Sequence, residues 1–140
     1  MDEIDLKLLR LLQKNARTPI KALAGEVRLS SPAVSARIER LEKQGVIRAY
    51  TLDLDPLQLG HHILAYIHLD MQPTQKEEFI AACSNVLECN CVTGNYSMLI
   101  KVSFASTQEL DGFIGRLQKF GKTETQIVFS SPVPPRAIVV

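Results

Sequence analysis

The chain lacks the features that mark several classes of protein. Among its 140 residues, no apolar run approaches the roughly 18 residues that a membrane-spanning helix requires. Its three cysteines cannot all pair with one another, which disfavours a disulfide-stapled secreted fold and favours a reducing compartment. The first residues, Met1–Asp5, are acidic where a secretory signal peptide would be basic. We therefore expect a globular cytoplasmic protein with no membrane partner.

The charge that is present is unevenly distributed, although the formal net charge is only +1. Residues 1–50 hold ten Lys and Arg against six Asp and Glu, whereas residues 51–140 hold six against nine. A basic first third joined to a mildly acidic remainder indicates two domains, of which the basic one meets a polyanion. We expect domains at residues 1–52 and 61–140, joined by a turn-like linker at residues 53–60.

Three amphipathic helices are predicted in the basic domain. Apolar residues with a period of 3.6 indicate a first helix from Asp2 to Asn15, capped by Asp2. Thr18-Pro19 and Ser31-Pro32 both have a capping hydroxyl followed by proline, and predict the starts of the second and third helices. Gly45 ends the third helix. Residues 46–52 then favour an extended wing.

The short turn at Leu29-Ser30 predicts a helix-turn-helix, in which the third helix enters the major groove of DNA. Ser31 and Ser35 can bond phosphates or base edges, and Arg37 and Arg40 reach farther. A plain three-helix bundle with a solvated basic face is the alternative interpretation. Salt-dependent phosphate contacts are expected from five basic residues: Arg17, Lys21, Arg37, Lys43 and Arg48.

The acidic domain follows the order β-α-β-β-α-β, which predicts a ferredoxin-like α+β fold. Two Ser/Thr-x-x-Glu capping boxes, beginning at Thr74 and Ser106, start its helices. The predicted inner residues of the helices are Phe79, Ile80, Cys83 and Val86, then Leu110, Phe113, Ile114 and Leu117. The predicted strands span His62–Met71, Leu87–Thr93, Ser97–Phe104 and Thr123–Ser130.

One face of this predicted sheet is left without helices. Its residues are too apolar to be left in water, and a second copy of the chain is the most economical cover. We therefore predict a homodimer, with the proline-stiffened tail after residue 131 packing on a neighbouring subunit. The residues of this face are Leu64, Tyr66, His68, Leu99 and Val128.

Motifs along essentially the whole chain resemble the Lrp/AsnC, or feast/famine, transcription regulators. Those in the first domain are Asp5–Leu9, Asn15–Arg17, Leu23-Ala24, Leu29–Ile38, Leu41-Glu42 and Gly45–Ile47, followed by Leu59-Gly60. Those in the second domain are Thr93–Ser97 and Thr123–Thr125.

The resemblance implies a winged helix-turn-helix followed by a ligand-sensing βαββαβ domain that dimerises. It further implies assembly of dimers into octamers or discs, with a small effector, usually an amino acid, bound between dimers. The implied recognition-helix positions are Ser30, Ser31, Pro32, Ala33, Ser35, Arg37 and Arg40. The implied effector positions are Gly94, Asn95, Tyr96 and Ser97, with Thr123 and Thr125 on the last strand.

The chain departs from the common family pattern at Ser97-Met98, where many members have Asp-Tyr. Ser97 offers a neutral hydroxyl in place of a carboxylate. Asparagine-responsive members resemble this chain in having Tyr-Ser there, which favours a neutral polar amino acid. We expect a sequence-specific transcriptional regulator of double-stranded DNA that carries no cofactor.

Three alternatives were weighed against this interpretation. A metal site would use Cys89 and Cys91, which face the same way on a strand, with His61, His62 and His68, but a C-x-C without a second cysteine pair is a weak signal. An enzyme would use Asp70 and Glu88, yet the sequence has neither a P-loop nor a dinucleotide fingerprint. A protein that coats DNA without binding an effector differs from a regulator only in degree, because oligomers that wrap DNA would do both. We therefore predict no catalytic residue and no metal.

Overall fold

The computed structural model describes residues 1–83 and 85–140. For Pro73 it describes only the backbone. It divides into two compact units, one of residues 1–53 with 134–140 and one of residues 54–133. The tail therefore joins the first unit, whereas we expected it to belong to the second domain. Across the described residues, none of the helices has the length and apolar character needed to cross a membrane.

The first unit contains three helices: α1 (Glu3–Lys14), α2 (Ile20–Val27) and α3 (Ser31–Lys43). Asp2 caps α1 as predicted, in a reciprocal capping box with Asp5. The Asp5 amide donates to Oδ1 of Asp2 at 2.9 Å, and the Asp2 amide donates to Oδ2 of Asp5 at 3.1 Å. Gly45 has a φ of +71°, the left-handed conformation predicted for the residue that ends α3.

Two predicted caps are wrong, and the segment predicted as a wing contains no strand in the described structure. The Thr18 hydroxyl donates to the carbonyl oxygen of Asn15 at 2.7 Å and caps nothing. Ser30, not Ser31, caps α3, because its Oγ accepts from the Ala33 amide at 3.4 Å. Residues 46–52 form no strand, since none of them pairs with a neighbouring strand in the described structure.

The core of the first unit is small. Leu8, Leu23 and Val34 are fully buried and bring together one residue from each helix. Ala24, Val27 and Ile38 complete the cluster, and its rim consists of half-buried residues such as Leu12 and Ile47. This apolar contact holds the three helices together.

The second unit is a four-stranded sheet with two helices. Its elements are β1 (Ile63–Met71), α4 (Lys76–Ala82), β2 (Val86–Cys91), β3 (Met98–Phe104), α5 (Thr107–Leu117) and β4 (Gly121–Ile127). The sheet order is β2-β3-β1-β4 and all neighbouring strands are antiparallel. The predicted ferredoxin-like βαββαβ fold is confirmed.

Details at the helix starts differ from prediction. A 3₁₀ turn at Pro73–Gln75 precedes α4, which has no side-chain cap, so the first capping box is absent. Ser106 caps α5, but the Glu109 carboxylate accepts from the Ala105 amide at 3.3 Å instead of from Ser106. Ile80 is 59% exposed and does not join the core, whereas the neighbouring Phe79 of α4 is buried.

The core of the second unit lies between one face of the sheet and its helices. Alternate residues of β1 and β3, among them Ile67 and Ile100, are fully buried against Phe79 and Phe113. The opposite face, which we call the open face, carries Leu64, Tyr66, His68, Leu99 and Val128, all half-buried.

Candidate DNA-binding and effector sites

The predicted DNA-contacting residues are gathered at the start and along one side of α3. Val34, Ile38 and Leu41 turn inward and are buried. The remaining side presents the residues predicted to contact DNA. Of these, Ser30, Pro32, Arg40 and Lys43 are exposed, whereas Ser31, Ala33, Ser35 and Arg37 are half-buried.

Three more predicted phosphate contacts lie on other segments of the same unit. Arg17 is in the loop after α1, Lys21 is in the first turn of α2, and Arg48 follows α3. All three are exposed, as is Lys43. None of these four residues forms an ion pair with any residue that the structure describes.

Arg37 and Arg40 do form ion pairs, with carboxylates at the start of α1. Nη1 of Arg37 lies 2.8 Å from Oδ2 of Asp2 and 2.8 Å from Oδ1 of Asp5. Nη2 of Arg40 lies 2.8 Å from Oδ2 of Asp5. We call these four residues the α1–α3 ion-pair network. From the sequence alone, Asp2 and Asp5 were assigned only to the start of α1, as its cap and as a first-turn acid, although their spacing of three residues matches that of the two arginines.

The network keeps both carboxylates ionised. The Asp5 amide and then the Arg37 guanidinium lower the pKa of Asp2 from its usual 3.8 to about 2. Burial acts to raise the pKa of Asp5, but the Asp2 amide, Arg37 and Arg40 outweigh it and lower that pKa. Hydrogen bonds from Arg37 to Asp2 and Asp5 raise the pKa of Arg37. The network therefore consists of two anions and two cations at neutral pH.

The predicted effector loop, Gly94–Ser97, joins β2 to β3, and Gly94 has a φ of +117° that favours glycine. The hydroxyl of Ser97 is occupied by backbone groups. It accepts from the Met71 amide at 2.9 Å and lies 3.2 Å from the carbonyl oxygen of Leu69, to which it can donate. Ser97 thus ties the loop to the end of β1.

The side chain of Tyr96 contacts both β4 and β1. Its hydroxyl donates to Oε2 of Glu124 at 3.0 Å, and its ring centroid lies 5.4 Å from that of His68. The bond to Glu124 is the main cause that raises the pKa of Tyr96. Glu124 was not predicted as a site residue. The β1–β4 register pairs it with His68, and the sequence alone does not reveal this register.

Thr123 and Thr125 lie on the other side of the sheet. They pair with Leu69 and Ile67, whose side chains belong to the core beside the helices. Because side chains alternate along a strand, both threonines point away from the face that Glu124 shares with His68. Within one chain, the structure therefore does not bring the six predicted effector residues onto one surface.

The residues of the metal alternative are likewise separated. Cys89 and Cys91 pair with Ile100 and Met98 on the helix-covered side, whereas His68 lies on the open face. Burial and then its cysteine neighbours raise the pKa of the Cys89 thiol to about 11. No group of three or more His, Cys, Asp or Glu residues is arranged to hold a metal within residues 1–83 and 85–140.

The acid and base of the enzyme alternative lie on different strands. Asp70 is on β1 and Glu88 is on β2, and β3 runs between these two strands. The two carboxylates are therefore not neighbours across a strand pair.

Comparison with known proteins also divides the chain into two parts, although it places residues 134–138 with the second part. A family model for winged helix-turn-helix DNA-binding matches residues 1–48, and one for the Lrp/AsnC ligand binding domain matches residues 64–138. The HTH-type transcriptional regulator LrpC of Bacillus subtilis is 28% identical over 133 residues, which cover 93% of this chain and 92% of that protein.

Two similar structures were solved with an amino acid. Rv3291c of M. tuberculosis, a feast or famine regulatory protein complexed with L-methionine, has a TM-score of 0.91 and 27% identity, with 99% of each chain covered. The transcriptional regulator NMB0573 of Neisseria meningitidis, in an L-Met complex, has a TM-score of 0.87 and 25% identity. That match covers 97% of this chain and 94% of the other.

Proposed function

Because the chain belongs to the Lrp/AsnC family, and is a helix-turn-helix transcriptional regulator rather than an enzyme, we propose that it binds specific DNA sequences under the control of a small effector. The effector is an amino acid, and it acts from an interface between subunits by changing their assembly or DNA affinity. The place of action is the cytoplasm.

The observation that carries the DNA-binding role is the set of polar and basic residues on the outer side of α3. The first turn offers small side chains, which let the DNA backbone approach closely, and Arg40 reaches base edges beyond it. In a dimer, two such helices enter successive major grooves, so half-sites lie about one helical turn apart or a multiple of it. Phosphates are contacted by Arg17, Lys21, Arg37, Lys43 and Arg48.

The experiment compares Arg40→Ala with Lys43→Ala on specific and random-sequence DNA. Arg40→Ala is expected to weaken binding to the specific site more than binding to random DNA, because Arg40 reads base edges. Lys43→Ala is expected to weaken both alike, because a phosphate contact carries no sequence information. Equal losses on both DNAs for both variants would refute the assigned roles.

The open face of the sheet supports a homodimer, in which a second copy covers Leu64, Tyr66 and Leu99. The dimers assemble further, into an octamer. Thr123 and Thr125 on β4 point away from Tyr96 in the same chain. The loop of one subunit and β4 of another can face the same ligand only where two copies meet. This geometry favours an effector site at the interface between subunits.

The effector is identified by thermal unfolding of the full chain against each of the twenty amino acids at millimolar concentration. A ligand at 100 times its dissociation constant stabilises the folded state by about 2.7 kcal/mol, a shift of a few degrees in Tm. A neutral polar amino acid is the expected hit. Sedimentation at saturating ligand should then show a changed octamer population, and an unchanged profile would refute control through assembly.

A further inference from the structure

The α1–α3 ion-pair network joins the start of α1 to the helix proposed to enter the major groove. We infer that Asp5 positions Arg37 and Arg40 for contact with DNA, and that Asp2 occupies Arg37 until a DNA phosphate replaces it. The inference rests on the proposed DNA-binding function and assigns opposite roles to two carboxylates three residues apart.

The buried position of Asp5 allows it to hold both arginine side chains in place. Its side chain is 1% exposed, and its oxygens accept hydrogen bonds from the Asp2 amide, from Arg37 and from Arg40. A buried carboxylate is retained only when it is paired and hydrogen-bonded in this way. Because Arg37 and Arg40 lie one turn apart on α3, a single carboxylate holds both guanidinium groups in place.

Both guanidinium groups keep donors for a second partner. An arginine side chain carries five N–H donors in a planar arrangement. In the described part of the chain, the bonds to carboxylates come from Nη1 of Arg37 and Nη2 of Arg40 alone. The Arg40 side chain is 48% exposed, so its other nitrogens remain open to phosphate or base oxygens. A side chain that is already held in place loses less conformational entropy when it binds DNA.

Asp2 also contacts Arg37, but from an exposed position. Its side chain is 54% exposed, and both of its oxygens accept from Nη1 of Arg37, at 2.9 and 2.8 Å. A carboxylate presents Arg37 with the same pair of oxygen acceptors that a phosphate would. DNA can therefore displace Asp2 at the surface, while the buried Asp5 stays in place.

The test measures dissociation constants for a random-sequence DNA duplex at several salt concentrations, with the full chain and three variants. Asp5→Asn is expected to weaken binding about tenfold and to reduce the salt slope by about 1 to 2, since two arginines lose their placement. Asp2→Asn keeps the cap of α1 and frees Arg37, so binding tightens about threefold. Glu3→Gln is the matched control, because Glu3 is an exposed carboxylate of the same helical turn outside the network.

The three variants separate positioning from simple charge. Each removes one negative charge near the DNA, so a general electrostatic effect predicts tighter binding by all three. Tighter or unchanged binding by Asp5→Asn would overturn the inference, as would weaker binding by Asp2→Asn. If Asp5→Asn does not fold, as judged by circular dichroism, the comparison of Asp2→Asn with Glu3→Gln decides. Tighter binding by Asp2→Asn alone supports the inference, and equal tightening by both variants would overturn it.

A variant carrying Arg37→Ala and Arg40→Ala distinguishes positioning from a structural role of Asp5. Adding Asp5→Asn to it should change affinity by less than about twofold, because the residues through which Asp5 acts are gone. A further large loss would show that Asp5 acts only on the fold. A wild-type chain that leaves the duplex unbound would instead refute the DNA-binding proposal itself.

Discussion

The two units of the chain are stabilised in different ways. In the unit formed by the sheet and its helices, thirteen of the described apolar residues are buried in one cluster, and the ion pair between Lys119 and Glu78 is exposed at both ends. The helical unit has a core cluster of only six buried residues, and it places the carboxylate of Asp5 inside its structure. The smaller unit thus combines a small apolar core with a buried ion-pair network, whereas the ion pair of the larger unit lies at its surface.

The largest expected effect concerns the backbone of the sheet. A Cβ added to Gly121, at the start of β4, would lie 1.7 Å from the backbone oxygen of Asp70, so this end of the β1–β4 pair has to open. Gly121→Ala is expected to cost about 3 kcal/mol of unfolding free energy. Gly115→Ala is the control, because a Cβ there meets nothing within 4 Å, and it should stabilise α5 by up to about 1 kcal/mol.

Urea unfolding measures the free energy of unfolding of both glycine variants. Amide hydrogen exchange shows which elements lose protection. If the sheet unit is stabilised by its own core, Gly121→Ala reduces protection in β1 and β4 and leaves the three helices of the first unit protected. Equal loss in both units would show that they fold as one, and the comparison between them would fail.

An intermediate effect is expected from removing one carboxylate in each unit. Asp5→Asn should cost about 2 kcal/mol of unfolding free energy, because two guanidinium groups lose a buried anion. Glu78→Gln breaks only the exposed pair with Lys119, and should cost at most about 0.5 kcal/mol. Urea unfolding of the two variants provides the comparison, and similar costs would contradict the distinction between a buried network and a surface pair.

The smallest expected effect is the loss of stability that the chain shows as the pH falls. The pKa of Asp2 is about 2 in the folded chain and 3.8 ordinarily, so the stabilisation by ionised Asp2 is complete above about pH 4. It is lost as the pH falls through about 2. Melting temperatures measured between pH 5 and pH 2 should therefore decrease more steeply in the wild-type chain than in Asp2→Asn. Parallel curves would show that Asp2 does not contribute, and Glu3→Gln should follow the wild type.

Periodicity predicted most elements of both units, because burial on one side of a helix or strand depends on local spacing. Prediction from periodicity failed where the structure of a segment depends on contact with a second segment. Residues 46–52 have a pattern compatible with a strand, but a strand requires a partner, and the described structure provides none there. Ser30 and Ser31 carry the same capping hydroxyl, and only the backbone geometry selects Ser30.

Site residues were predicted individually, but their partners were not. The spacing on α3 predicted Arg37 and Arg40 as basic residues of the recognition helix. Their carboxylate partners lie more than thirty positions earlier in the chain, and only the packing of α1 against α3 brings them together. The hydroxyl of Ser97 bonds backbone atoms of β1 twenty-six and twenty-eight positions away, which no local motif records.

The contact between the tail and α1 has a consequence for the order of folding. Nε of Arg10 donates to the carbonyl oxygen of Val140 at 2.6 Å, across a separation of 130 residues, and Gln13 donates to that of Ile138 at 2.8 Å. Closing so long a loop in an unfolded chain costs conformational entropy. Once residues 54–133 have folded, most of that loop is already ordered and the remaining cost is small. The contact of the tail with α1 is therefore less costly to form once residues 54–133 are folded, whereas the core contacts among α1, α2 and α3 need no such long loop.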